Sequence, residues 1–304
     1  MSPTSPEYRS LIFRSIFYVV LGYFFFSCAD VVTKILRDTF STSQLMTISG
    51  LFGIIISGAI IWFKKGKAGF KSAKWKAHIL RGIVIACTSY FAVTAFKLLP
   101  LTDFYAIVFI SPFLSKIFAV FFLKEHVGWR RWMATGVAFS GVLVVAGPQF
   151  NDMGVGYLYA LMAAFWSSLS VIQARRIGTD EFAPLYAFYP TLFVFLINGI
   201  CLLVFDEANP VSLITADHIP FLLMHAPFVV CGIMACSKGF AMAPLTAMVT
   251  PFHYTQIIWG TIFGFWVFHQ LPTSTTVIGL CLIISAGLYS IYREYSLSYP
   301  KKPK

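Results

Sequence analysis

Charge is scarce in this sequence. Asp, Glu, Lys and Arg make up 12% of the 304 residues while 58% are hydrophobic, against roughly a quarter charged in soluble domains. With a mean hydropathy of +0.77, a soluble globular protein is excluded. There is no GxxxxGK[ST] phosphate loop, so nucleotide hydrolysis is not the direct source of any work done. HExxH, GxSxG and carboxylates paired at helical spacing are also missing, and the titratable groups are scattered, which argues against a membrane-embedded enzyme. The six cysteines show no CxxC and no alternation with histidine, so neither a metal site nor a cofactor is expected and the thiols are read as packed and free. No small-residue cleavage site follows the first apolar run, which is therefore expected to stay as a helix.

What fills the chain is apolar. A helix needs about 20 largely apolar residues to cross a hydrocarbon core of ~30 Å. Ten such stretches can be drawn, at 15–35, 44–63, 78–96, 102–122, 132–146, 154–174, 183–205, 219–241, 244–268 and 273–292. They leave no room for a soluble domain, and a multi-pass membrane protein surrounded by lipid is the expectation.

The net charge of +11 is distributed unevenly. If the N-terminus is cytoplasmic, the same face receives Arg9, Arg14, the run Lys64 to Lys76 with Arg81 just beyond it, Lys124, Arg130, Arg131, Arg175, Arg176, Lys238, Arg293 and the C-terminal lysines. The other face holds Lys34, Arg37 and Lys97, with the acids Asp38, Asp103, Asp152, Asp206, Glu207 and Asp217. This is the positive-inside pattern, with both termini in the cytoplasm and the protein in the cytoplasmic (inner) membrane. The basic run is read as a topology signal, and no nucleic-acid partner is expected.

The two halves resemble each other. "AFKLLPLTDFYAIVFISPF" from Ala95 aligns without a gap with "GFAMAPLTAMVTPFHYTQI" from Gly239, at an offset of 144. In each, a "PLT" breaks two apolar runs, with the proline ending one helix and the threonine placed to cap the next. Five spans precede the "GPQFNDMG" linker and five follow, dividing the chain into repeats 1–148 and 149–304. An odd number of crossings inverts the second copy relative to the first, the architecture of transporters that alternate access to a site near the bilayer midplane.

The five-plus-five arrangement, the "FSCADVVTK" of the first span and the stretch from Ala95 to Pro148 together resemble the EamA type of the drug/metabolite transporter superfamily. That stretch has a proline corner, "SP" within the fourth span, Lys-Glu ending it and Trp-Arg-Arg opening the fifth. The resemblance implies an all-α, basket-like fold of ten transmembrane helices in two inverted repeats, four helices of each enclosing a cavity. It also implies transport of a small organic metabolite. Many members carry an arginine in the second span where this chain has Ser49. "FSCADVVTK" is nearest the members that take up S-adenosylmethionine-like or flavin-like compounds.

A charge near the bilayer centre costs about 2.5 to 3.5 kcal/mol on insertion scales, so one that remains there faces a cavity or a partner. By this reading Asp30 and Lys116 lie deep in spans. Asp30 either pairs with Lys34 one turn on or binds a substrate cation or a coupling proton. Lys116 either recognises an anion or reaches a backbone carbonyl or the interface. In "PFHYTQIIW" the residues His253, Tyr254, Gln256 and Trp259 offer polar atoms and an aromatic face beside a helix-disrupting proline, with His253 a second coupling candidate. Tyr90 and Trp166 are added as ligand platforms because each neighbours small polar residues, in "CTSYF" and "FWSSLS". Gly260 and Gly264 form a GxxxG that serves either packing within the chain or a homodimer. The expected function is a secondary active transporter or exchanger, its cargo amine-bearing or S-adenosylmethionine-like. The alternatives are a proton-driven exporter of amino acids or drugs, and a non-transporting or enzymatic membrane protein.

Overall fold

The computed structural model describes residues 6–36, 39–99, 101–146, 154–205, 214–269, 271 and 273–297. It is all-helical among these residues: α1 (Pro6–Leu36), α2 (Thr42–Lys65), α3 (Trp75–Leu98), α4 (Leu101–Val108), α5 (Ser111–Leu123) and α6 (Trp129–Ala146) are followed by α7 (Val155–Ile177), α8 (Leu185–Phe205), α9 (Ile219–Met242), α10 (Thr246–Val249), α11 (Thr255–Phe268) and α12 (Ser274–Leu297). Six stretches, within α1, α2, α3, α7, α8 and α9, are each long and apolar enough to cross a membrane. The linker around Pro148 and Asn151 lies outside the described residues.

Two expected spans are broken rather than continuous. The fourth is interrupted between α4 and α5, at Phe109 and Ile110. Pro112 lacks an N–H and its ring crowds the carbonyl of Val108, the last residue of α4. The ninth is interrupted by a 3₁₀ segment, Thr250–Tyr254, that contains Pro251. Each broken pair makes one crossing, and with α6 and α12 the crossings number ten. Helix starts follow local chemistry. At α2 the Ser41 hydroxyl accepts the Gln44 N–H at 3.1 Å and the Gln44 side chain accepts the Ser41 N–H at 3.4 Å, a reciprocal cap.

The packing carries the internal symmetry. α1 lies on α9 as α3 lies on α7, α5 meets α7 as α11 meets α1, and α2 with α8 and α6 with α12 form pairs that map onto themselves. Exchanging each first-half helix for its second-half mate returns these pairs. The α1–α9 seam is close because it is lined by glycine: a Cβ on Gly22 would stand 2.3 Å from Cys236 Sγ, and one on Gly239 would stand 2.6 Å from Val19 Cγ2. Gly260 behaves differently. Among the described residues nothing lies within 4 Å of where its Cβ would be, so no described helix packs closely on it there.

Candidate substrate-binding cavity

The described helices enclose a central cavity of about 270 Å³, lined from α1, α2, α3, α4, α7, α8 and α9 and from the broken ninth crossing. The two breaks meet beside it. Phe113 donates its N–H to Ile110, so the Phe109 carbonyl lacks its helical partner and accepts the Tyr254 hydroxyl at 3.2 Å instead. The Ser111 hydroxyl stands 3.2 Å from His253 Nδ1, and Ser168 of α7 donates to the Ser111 carbonyl at 3.0 Å. Polar backbone freed by the breaks is thus satisfied by side chains from the other repeat, as lipid-buried backbone requires.

Asp30 lines this cavity. Its Oδ2 accepts from Gln256 Nε2 at 2.8 Å and from the Tyr105 hydroxyl at 3.4 Å, both neutral donors. The pairing with Lys34 is not what forms: Lys34 turns its ammonium over the Phe268 ring, 4.0 Å from the centroid. No basic side chain among the described residues stands within ion-pairing distance of Asp30. The acid is therefore hydrogen-bonded and oriented but not neutralised.

The structure brings Asp30, His253 and Gln256 together in the cavity lining. His253 stacks on Tyr23 with ring centroids 4.3 Å apart. Tyr254 is fully buried behind the cavity as the clamp on Phe109. The other four stand elsewhere. Lys116 is fully buried and donates to the Arg131 carbonyl at 2.7 Å. Trp259 packs edge-on against Phe24 beside an apolar groove on α11. Tyr90 and Trp166 lie outside the lining, with their rings against Phe91 and Phe165.

Two groups outside the expected set of site residues line the cavity. Arg81, grouped with the cytoplasmic lysines, is only 3% exposed and faces the cavity from α3. Asp30 and Lys116 are therefore not the only deep charges. The expected span 78–96 already enclosed Arg81, and the adjoining lysine run masked it. The second group is His225, whose Nδ1 stands 2.8 Å from Ser49 Oγ and whose Nε2 stands 3.1 Å from Thr33 Oγ1. These three residues come from three helices with no spacing that links them.

Just past Ala174, a cavity residue near the end of α7, lies a polar network. Glu125, after α5, accepts the Thr246 N–H at 2.8 and 3.1 Å and the Thr246 hydroxyl at 2.9 Å, and its Oε1 lies 3.5 Å from Arg175 Nε. Arg175 also donates to the carbonyls of Ala241 and Pro244. Thr246 was expected to cap its own helix. It sits one position too late for that, and Glu125 supplies the cap from the other repeat. Its mate Thr102 has no described side chain.

A solved crystal structure superposes on this fold with a TM-score of 0.77 at 16% identity, covering 95% of this chain and 98% of the other. Residues 13–147 match the EamA-like transporter family. The match takes in a little under half of the chain. Among its relatives are an S-adenosylmethionine uptake transporter of Rickettsia bellii, 25% identical over 88% of this chain and 90% of that one. A riboflavin transporter of Rhizobium johnstonii is 23% identical over 91% and 90%. The human solute carrier family 35 member G1 is 23% identical over 92% and 79%. The relatives named for a substrate are transporters, and this chain is a multi-pass membrane protein.

Proposed function

We propose that this protein is a secondary transporter that carries a small, S-adenosylmethionine-like metabolite with a cationic group through the central cavity. The two repeats, 1–148 and 149–304, rock about it so that each face opens in turn. The observation that carries the reading is Asp30, a carboxylate lining an enclosed cavity with only the neutral donors Gln256 and Tyr105 around it. A cation entering the cavity completes that pairing. A proton gradient or exchange against a second metabolite drives the cycle, with Asp30 and His253 as the candidate coupling groups.

Reconstituted protein is expected to take up labelled S-adenosylmethionine under a pH gradient or in counterflow. Asp30→Asn should reduce transport by about tenfold or more at equal protein level, since a cation loses its charged partner. Absence of movement of any metabolite in either format sinks the reading. Charge distribution supports a placement in the inner membrane with both termini in the cytoplasm. Tags at the two ends should both stay protected from impermeant reagents in intact cells, and exposure of either one rejects that orientation.

A further inference from the structure

Arg81 is the second uncompensated charge of the cavity. It sits in the second turn of α3, 3% exposed, and its contacts are all to neutral groups. Nη1 donates to the Tyr186 carbonyl at 2.9 Å and Nη2 to Ser237 Oγ at 2.6 Å, while Cζ lies 5.3 Å over the Tyr186 ring. Ser237 in turn gives its own proton to the Ile233 carbonyl, so its oxygen is held as an acceptor for the guanidinium. Nε is buried and has no hydrogen-bond partner. A guanidinium has five N–H donors, and these two bonds use one on each terminal nitrogen.

The acids that could neutralise it are engaged elsewhere. Glu181 faces His78 at 3.5 Å, Glu125 faces Arg175 at 3.5 Å, and Asp30 is held by Gln256 and Tyr105. Among the described residues none stands within ion-pairing distance of Arg81. A guanidinium that is positioned by oriented acceptors but left without an anion, in the wall of a cavity inside a membrane protein, is arranged to receive one.

Depth separates the two charges. Ser237, which holds Arg81, follows Cys236, and Cys236 lies against Gly22 of α1. Asp30 comes eight residues after Gly22 on the same helix, which at 1.5 Å per residue is roughly 12 Å further along. One wall of the cavity therefore presents an unpaired anion and, about two turns away, another presents an unpaired cation.

We propose that Arg81 binds a carboxylate of the transported molecule, so that the cargo is zwitterionic, with its carboxylate at Arg81 and its cationic group toward Asp30. The Asp30 half of this statement rests on the proposed function; the Arg81 half stands on the guanidinium's own surroundings. A carboxylate balances the single charge one for one and can use two N–H donors at once. A phosphate dianion would bring a second negative charge that no second lysine or arginine among the described lining residues meets.

The test compares S-adenosylmethionine with its decarboxylated analogue, which keeps the sulfonium and the amine. In proteoliposomes carrying the full chain, the analogue is expected to compete for labelled S-adenosylmethionine at least about tenfold more weakly than the unlabelled compound does. In Arg81→Gln the two should compete alike, because only the carboxylate compound loses affinity, and Arg81→Lys should keep part of the preference. Asp30→Asn should weaken both compounds and leave the preference in place. Equal competition in the wild type, or a preference that survives in Arg81→Gln with an unchanged melting curve, overturns the proposal. If Arg81→Gln does not fold, Arg81→Lys decides: a preference undiminished there overturns the proposal as well.

If S-adenosylmethionine itself neither binds nor moves, that cargo is lost but the carboxylate site is not. The same comparison is then made by thermal stabilisation with α-amino acids and their decarboxylated amines. Stabilisation by the acids that disappears in the Arg81 variants supports the site, and stabilisation by none of them, or equally by both, overturns it.

Discussion

The turns that follow α5 and α11 are equivalent by symmetry and unlike in chemistry. Both helices end on a left-handed residue, Lys124 at φ 55° and His269 at φ 53°, the only non-glycine positive φ angles among the described residues. Both place a phenylalanine two residues earlier or one residue earlier under a cation from the partner repeat: Arg176 over Phe122 and Lys34 over Phe268. Among the described residues the first turn supplies a carboxylate to an ionic network. Glu125 there caps Thr246 and pairs with Arg175, whereas the "FHQLPTST" around the second turn contains no carboxylate. The backbone of the two turns has kept the repeat while their own side chains differ, the first supplying a carboxylate and the second none.

Removing Glu125 is the sharpest way to break the comparison. Glu125→Ala strips the buried Thr246 N–H and hydroxyl of their acceptor and leaves Arg175, 22% exposed, without its anion. Breaking such a pair from one side should cost about 3 kcal/mol, read as a lower melting temperature of the purified protein. His269→Ala in the exposed second turn should change stability by less than about 0.5 kcal/mol. Equal losses at the two sites would mean that the turns are alike after all.

Much of the fold was legible because membrane spans are written in composition, and because an odd number of spans per repeat fixes the inversion. The breaks were less so. Pro112 and Pro251 mark them, yet the apolar runs read through both prolines without a gap. In the cavity the helices were identified correctly and the face was not. On α3 the lining residues Arg81, Ile85, Thr88, Ser89 and Ala92 follow a helical stripe, and Tyr90, next to Ser89, points about 100° away from its neighbour. On α7, Ser167 and Ser170 face the cavity, and Trp166 misses it by the same single step. Small polar residues were the signal, and the large aromatics beside them drew the reading off. Asp30 stood out as the one acid deep within a long apolar run, whereas Arg81 follows a run of lysines. The hydrogen bonds of His225 to Ser49 and Thr33 join positions 33, 49 and 225, and only the folded chain brings these together.

The smallest effect tests what the two turns share. After α5 the Ala119 carbonyl accepts the N–H of both Lys124 and Glu125, and after α11 the Gly264 carbonyl accepts the N–H of His269. Such helix ends favour glycine, because a Cβ in the left-handed region costs roughly 1–2 kcal/mol. Glycine's greater freedom in the unfolded chain returns about 0.5–1 kcal/mol of that. Lys124→Gly and His269→Gly should therefore each raise stability, by less than about 1 kcal/mol and by similar amounts, since neither gain depends on the charges nearby. A gain at His269 with a loss at Lys124 would show that the lysine side chain contributes to the first turn, and that the asymmetry between the turns reaches further than Glu125 and Arg175.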